Sequence, residues 1–167
     1  QTPSYELLML GNNKIGTTDT RGLLYNIKNY GCLLVSLTMY LNMLGKRYDP
    51  PALNDFLKEN GGFGPDDGDL IWGAAGRSLE LGGIDKSDYY DGPVDENGII
   101  FVLNSLDQHI PLISRADFNT ATPANEQHWV LVKGYVIKKG QRIFTYSDPW
   151  DGTDHVVNEK EFKRKIV

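Results

Sequence analysis

The chain has 167 residues, 40% of them hydrophobic and 23% charged, with a net charge of -5 at pH 7. That length suits one domain, residues 1–167, with a sizeable core. The acidic balance, with no basic stretch interleaved with aromatics, argues against nucleic-acid binding. No apolar run approaches membrane-spanning length, so no membrane insertion is expected. A single cysteine rules out an intrachain disulfide and a multi-cysteine zinc site. No signal peptide is visible. A start at Gln1 rather than Met fits a processed product or a domain excised from a larger protein.

In chain order, Tyr5 to Leu10 reads as a short strand and Gly11 to Gly22 as a polar loop. From Leu33 to Leu44 apolar residues surround the whole cylinder, the pattern of a buried central helix, with Gly45 at its C′ position. Asp49 caps a second helix with Pro50 at its first position and Leu53, Phe56 and Leu57 on one face. A weaker helix is predicted from about Asp69 to Leu81, interrupted by Gly73 and Gly76. Ile84 to Tyr90 reads as a strand. Asp95 to Asp107 reads as a helix burying Ile99, Ile100, Val102, Leu103 and Leu106. Ile110 to Ser114 is a strand, and Ala116 to Gln127 a long polar loop. His128 to Ile137 and Arg142 to Ser147 form a hairpin through Lys138-Lys139-Gly140-Gln141. Asp154 to Val157 is a short strand and Asn158 to Ile166 a polar helix. Helices first and antiparallel strands after give the α+β class.

The chemistry centres on Cys32. A polar, glycine-containing loop leads into it and the apolar helix follows, so the thiol lies at a helix start. There the unpaired N–H groups and the dipole favour a thiolate. His128 opens an apolar strand, and Asp148 follows the next one. A nucleophile, a base and an acid to orient the base, in that order, suit covalent catalysis of acyl transfer. Antiparallel pairing across the hairpin returns Asp148 toward His128. The Cys32 backbone N–H and the Asn26 side-chain amide are the candidate oxyanion donors. Each residue also has a plain structural reading: a buried thiol, a strand-end histidine, a turn aspartate, a loop asparagine. Trp72 is assigned to the core, while Trp129 and Trp150 are candidate walls of a substrate cleft. His109 and His155 flank polar turns and are expected at the surface. The acids at Asp66 to Asp69 and Asp148 to Asp154 lack EF-hand spacing and are read as solvated turns, not a metal site.

Several segments together resemble the C39-like cysteine peptidases of the papain-like superfamily, found in bacteria and phages. They are Gly31-Cys32, Leu44-Gly45 with Asp49-Pro50 and Leu53-Asn54, and Asn60-Gly61-Gly62-Phe63. They continue with Leu70-Ile71-Trp72, Ile110 to Ile113, His128 to Tyr135, and Asp148-Pro149-Trp150-Asp151-Gly152. The resemblance implies a papain-like fold with a central catalytic helix packed on a C-terminal antiparallel sheet. It implies a triad of Cys32, His128 and Asp148, with Asn26 at the place of the family's oxyanion glutamine. Gly31, beside the nucleophile, joins Trp129 and Trp150 as a candidate substrate-binding residue. No cofactor is implied. The expected substrate is a glycine-rich peptide bond, in a leader peptide or a peptidoglycan cross-bridge, and the expected setting is extracellular, cell-wall-directed or virion-associated. Two departures stand out: Asn26 is one methylene shorter than glutamine, and the bulky Leu33-Leu34 follow the cysteine. They keep open a weak or inactive module that binds peptide or joins other domains of a parent protein. Transfer of the acyl group to an amine by the same triad is a third possibility.

Overall fold

The computed structural model describes residues 4–65, 68–81, 89–118 and 128–167. The backbone falls into two compact units, one of Gln1–Leu34 with Arg47–Tyr89 and one of Val35–Lys46 with Tyr90–Val167. Among the described residues the helices are α1 (Ile27–Tyr30), α2 (Cys32–Met43), α3 (Pro50–Glu59), α4 (Trp72–Ser78), α5 (Glu96–Asp107) and α6 (Glu159–Lys165). The strands are β1 (Leu112–Ala116), β2 (His128–Lys138), β3 (Gln141–Asp148) and β4 (Thr153–Asn158). The fold is α+β, with one antiparallel sheet in the order β1-β2-β3-β4.

In the first unit, Tyr5 to Leu10 does not form the expected strand. Its carbonyls instead serve the start of α1: Ile27 N–H donates to Leu8 O (2.9 Å) and Lys28 N–H to Tyr5 O (3.2 Å). These are N–H groups that a helix start leaves without an intrahelical acceptor. The α3 helix begins as expected, with the Asp49 side chain accepting from Ala52 N–H at 2.8 Å and Leu53 and Leu57 buried. Its Asn54 is buried too, and holds the N-terminal segment by accepting from Gly11 N–H (2.8 Å) and donating to Met9 O (3.0 Å). The α4 helix is shorter than predicted. Ile71 offers it no side-chain cap, and Glu80 just beyond it takes a φ of 59°. Trp72, assigned to the core, is instead 36% exposed, because it occupies the first position of this short helix. Asp66, Asp67 and most of the strand expected at Ile84 to Tyr90 lie outside the described residues.

The second unit takes α2 from Val35 onward. Leu37 and Leu41 are buried, whereas Met43 and Leu44 at the end of the apolar run are exposed. The helix closes with Lys46 N–H on Leu41 O (2.9 Å) around Gly45, whose φ is 84°, a left-handed C′ glycine. The Ser36 hydroxyl of α2 donates to the Trp129 carbonyl of β2 at 3.1 Å. On α5 the Asp95 side chain caps Asn97 and Gly98, and Ile99, Val102 and Leu106 are buried. Ile100 is 56% exposed, contrary to expectation; it lies about 100° round the helix from Ile99, outside the buried stripe. The core joins these α5 residues to Val130 and Val132 of β2, Phe144 and Tyr146 of β3 and Phe162 of α6. Phe144 stacks on Phe162 with centroids 4.2 Å apart. The β2–β3 hairpin turns at Lys139 and Gly140, both at positive φ, as a two-residue primed turn requires.

Candidate active site

Sheet register brings His128 and Asp148 together. Leu131 pairs with Ser147 and Val132 with Tyr146, so Asp148 lies across from Val130 and diagonal to His128. Residues two apart on a strand share a face, and a diagonal pair is within reach of long side chains. The His128 Nε2 donates to Asp148 Oδ1 at 2.7 Å, and both side chains are largely shielded. The same oxygen accepts the Trp150 backbone N–H at 2.9 Å. The Asp-Pro-Trp-Asp-Gly run therefore builds a tight turn as well as an acid. Gly152 N–H returns to the Asp148 carbonyl (2.8 Å) and Gly152 takes a φ of 68°.

Around this pair the same sheet face carries Tyr146 and His155, which are register partners. Their rings stack at 5.1 Å and 12°. Tyr146 is held above its ordinary pKa by burial and then by the charges of Asp148 and Asp151, so it stays neutral. His155 Nε2 donates to Asp151 Oδ2 at 2.7 Å. The Thr153 backbone N–H and hydroxyl, and then His155, hold the Asp151 carboxyl below its ordinary range. His155 was expected as a plain surface residue; the signal that would have placed it is its pairing position opposite Tyr146. Asp148, Asp151 and His155 bring ligand-type atoms within 4.8 Å of one another. The two carboxylates also accept hydrogen bonds from His128, Trp150, Thr153 and His155.

The remaining candidates fall as follows. Cys32 is the first residue of α2, in the first unit, and is partly exposed. Gly31 is buried, and a Cβ there would sit 2.2 Å from Ile27 O, so a steric demand explains the glycine. Asn26, 3% exposed, caps α1: its Oδ1 accepts from Asn29 N–H (2.8 Å) and its amide donates to Glu6 O (2.7 Å). Trp129 is half-buried, and strand alternation puts it on the sheet face opposite His128. Trp150 follows Asp148 in the turn and is 80% exposed. One aromatic that the sequence did not single out lies against His128: Phe118, with its ring 5.4 Å from the imidazole.

Among the described residues the helices and the four-stranded antiparallel sheet define an α+β protein. The chain belongs to the Peptidase_C39 like family, whose model matches residues 18–166. That membership gives it a cysteine-peptidase type of function. No curated protein and no solved structure matches the chain.

Proposed function

We propose that the protein hydrolyses peptide or amide bonds with Cys32 as nucleophile, His128 as base and Asp148 as orienter. The observation that carries this reading is the 2.7 Å bond from His128 Nε2 to Asp148. On this reading Nε2 is engaged by Asp148, and Nδ1 is the ring nitrogen that takes the Cys32 proton. The thiolate attacks the carbonyl carbon, and the oxyanion that forms is met by the Cys32 backbone N–H, with Asn26 as the second candidate donor. Collapse breaks the C–N bond, and the imidazolium gives its proton to the leaving amine. Water then attacks the thioester as His128 takes its proton; the C–S bond breaks, the acid leaves, and the imidazolium returns its proton to Cys32 Sγ. No cofactor enters the scheme.

The substrate proposed from the family resemblance is a glycine-rich peptide, either a leader or a peptidoglycan cross-bridge, in a bacterial or phage setting outside the cytoplasm. A second reading, a weak or inactive peptide-binding module, is favoured by Asn26. Its amide already donates to Glu6 O, and losing an oxyanion donor costs about 10²–10³ in turnover. The test is the alkylation rate of Cys32 against pH in the wild type, His128→Ala and Asp148→Asn. Labelling that titrates well below about 8.5, the free-thiol value, and that both substitutions slow, supports the triad. Slow labelling indifferent to both substitutions refutes it and leaves the binding module.

A further inference from the structure

His128 and Asp148 stand at the open end of the β2–β3 hairpin, and its closed end has a different character. Val136 and Ile137 are consecutive in β2, so their side chains leave opposite faces of the sheet. Both are exposed, by 61% and 69%, so the hairpin runs past the core on both faces. Val136 borders a hollow of about 440 Å³ with Met43, itself half-exposed. Ile137 borders another of about 520 Å³ with Arg142 and Lys160. Residues 136–142 hold three cations and no acid, in a chain whose net charge is -5. Lys138 and Lys139 are exposed, and among the described residues neither enters an ion pair. Arg142, the register partner of Ile137, is bonded to Glu159 at 3.0 Å. The charge of the exposed Lys160 acts on Glu161.

We propose that the closed end of this hairpin docks the protein peripherally on a membrane surface rich in anionic phospholipid. Lys138 and Lys139 meet the headgroup phosphates, and Val136 and Ile137 sink into the boundary beneath them. From Val136 to the turn at Lys139 the strand rises about 10 Å, which matches the depth of about 5–10 Å reached by interfacial apolar groups. The two-sided exposure favours lipid over a protein partner. A partner laid on one face leaves the apolar side chain of the other in water, whereas a headgroup layer surrounds a projecting tip on both sides. The acidic balance of the chain adds orientation, because the anionic surface repels its acidic regions and attracts this end. His128 lies about 30 Å back along β2, so docking leaves the candidate catalytic pair in the aqueous phase. No membrane-spanning segment is involved, and docking is independent of the peptidase chemistry.

The experiment is flotation of the full chain with vesicles, in about 0.05 M salt, where screening is weak. One set is phosphatidylcholine alone and the other equal parts of phosphatidylcholine and phosphatidylglycerol. The wild type is expected to float with the mixed vesicles and to stay in solution with the neutral ones. Replacing both lysines, Lys138→Ala with Lys139→Ala, is expected to lower the partition about 25-fold, about fivefold for each charge. Ile137→Ser, which changes no charge, is expected to lower it about fivefold. Lys14→Ala, in the first unit, is expected to leave it unchanged. Positions 137, 138 and 139 are exposed, so these variants keep the core, and an unchanged urea midpoint checks it. A wild type that stays in solution with mixed vesicles, or floats equally with both kinds, overturns the proposal. So does a double-lysine variant that floats like the wild type. Binding that Ile137→Ser leaves unchanged and that soluble inorganic polyphosphate abolishes makes this end a plain anion patch, and also overturns lipid docking.

Discussion

Gly31→Ala is the sharpest test of how the candidate nucleophile is held. The added Cβ meets Ile27 O at 2.2 Å, Ile27 Cγ2 at 2.7 Å and the Ile27 carbonyl carbon at 2.9 Å. Two of these three are backbone atoms, which cannot swing aside as a side-chain tip can. To reach ordinary contact near 3.4 Å the carbonyl must retreat by about 1 Å. That carbonyl also accepts the Gly31 N–H at 2.8 Å, and such a retreat takes the bond outside hydrogen-bonding distance. A lost hydrogen bond costs about 1 kcal/mol and the overpacking about 1–3 kcal/mol more, so about 2–4 kcal/mol is expected. With a urea m-value of about 2 kcal/mol/M the unfolding midpoint falls by about 1–2 M. Equilibrium urea unfolding is the assay. Gly134→Ala is the control, because a Cβ there meets nothing within 4 Å; its midpoint should stay within about 0.3 M of the wild type. A Gly31→Ala protein that unfolds with the control refutes the steric account.

Asn54→Leu leaves Gly11 N–H and Met9 O without their side-chain partner. An expected loss of about 2–4 kcal/mol is measured by the same unfolding titration. Asp154 is held below its ordinary pKa by the Ser147 hydroxyl, bonded at 2.5 Å, and then by Lys133. Its stabilising contribution is therefore complete above its ordinary unfolded value and is lost as pH falls through the lower folded one. Urea midpoints taken from pH 6 downward should fall less steeply for Asp154→Asn than for the wild type. Parallel curves would remove the linkage.

What the sequence made legible were features written in local chemistry. The α3 helix begins where Asp49-Pro50 says it should, α2 ends at Gly45, and the β2–β3 hairpin turns at Lys139-Gly140. The approach of Asp148 to His128 was legible because pairing across one hairpin fixes it. The illegible features depend on partners distant in sequence. Tyr5 to Leu10 has the apolar character of a strand, but its carbonyls are drawn to the exposed amides of α1. The resemblance sets Asn26 at the family's oxyanion position, yet nothing local told that its amide serves Glu6 O. Phe118 was hidden in a polar loop, because its contacts come from β2, β3 and Lys165 of α6.

The sequential order of the sheet carries a kinetic consequence. Among the described residues every strand of the sheet pairs with its neighbour in the chain, so none of these pairings needs a crossover connection. The Lys139-Gly140 turn can close first, in the microsecond range of isolated hairpins, and the outer strands then add by short loop closures. The His128–Asp148 pair spans that first hairpin. Its two members lie on adjacent strands of that hairpin, so their approach needs only this one closure.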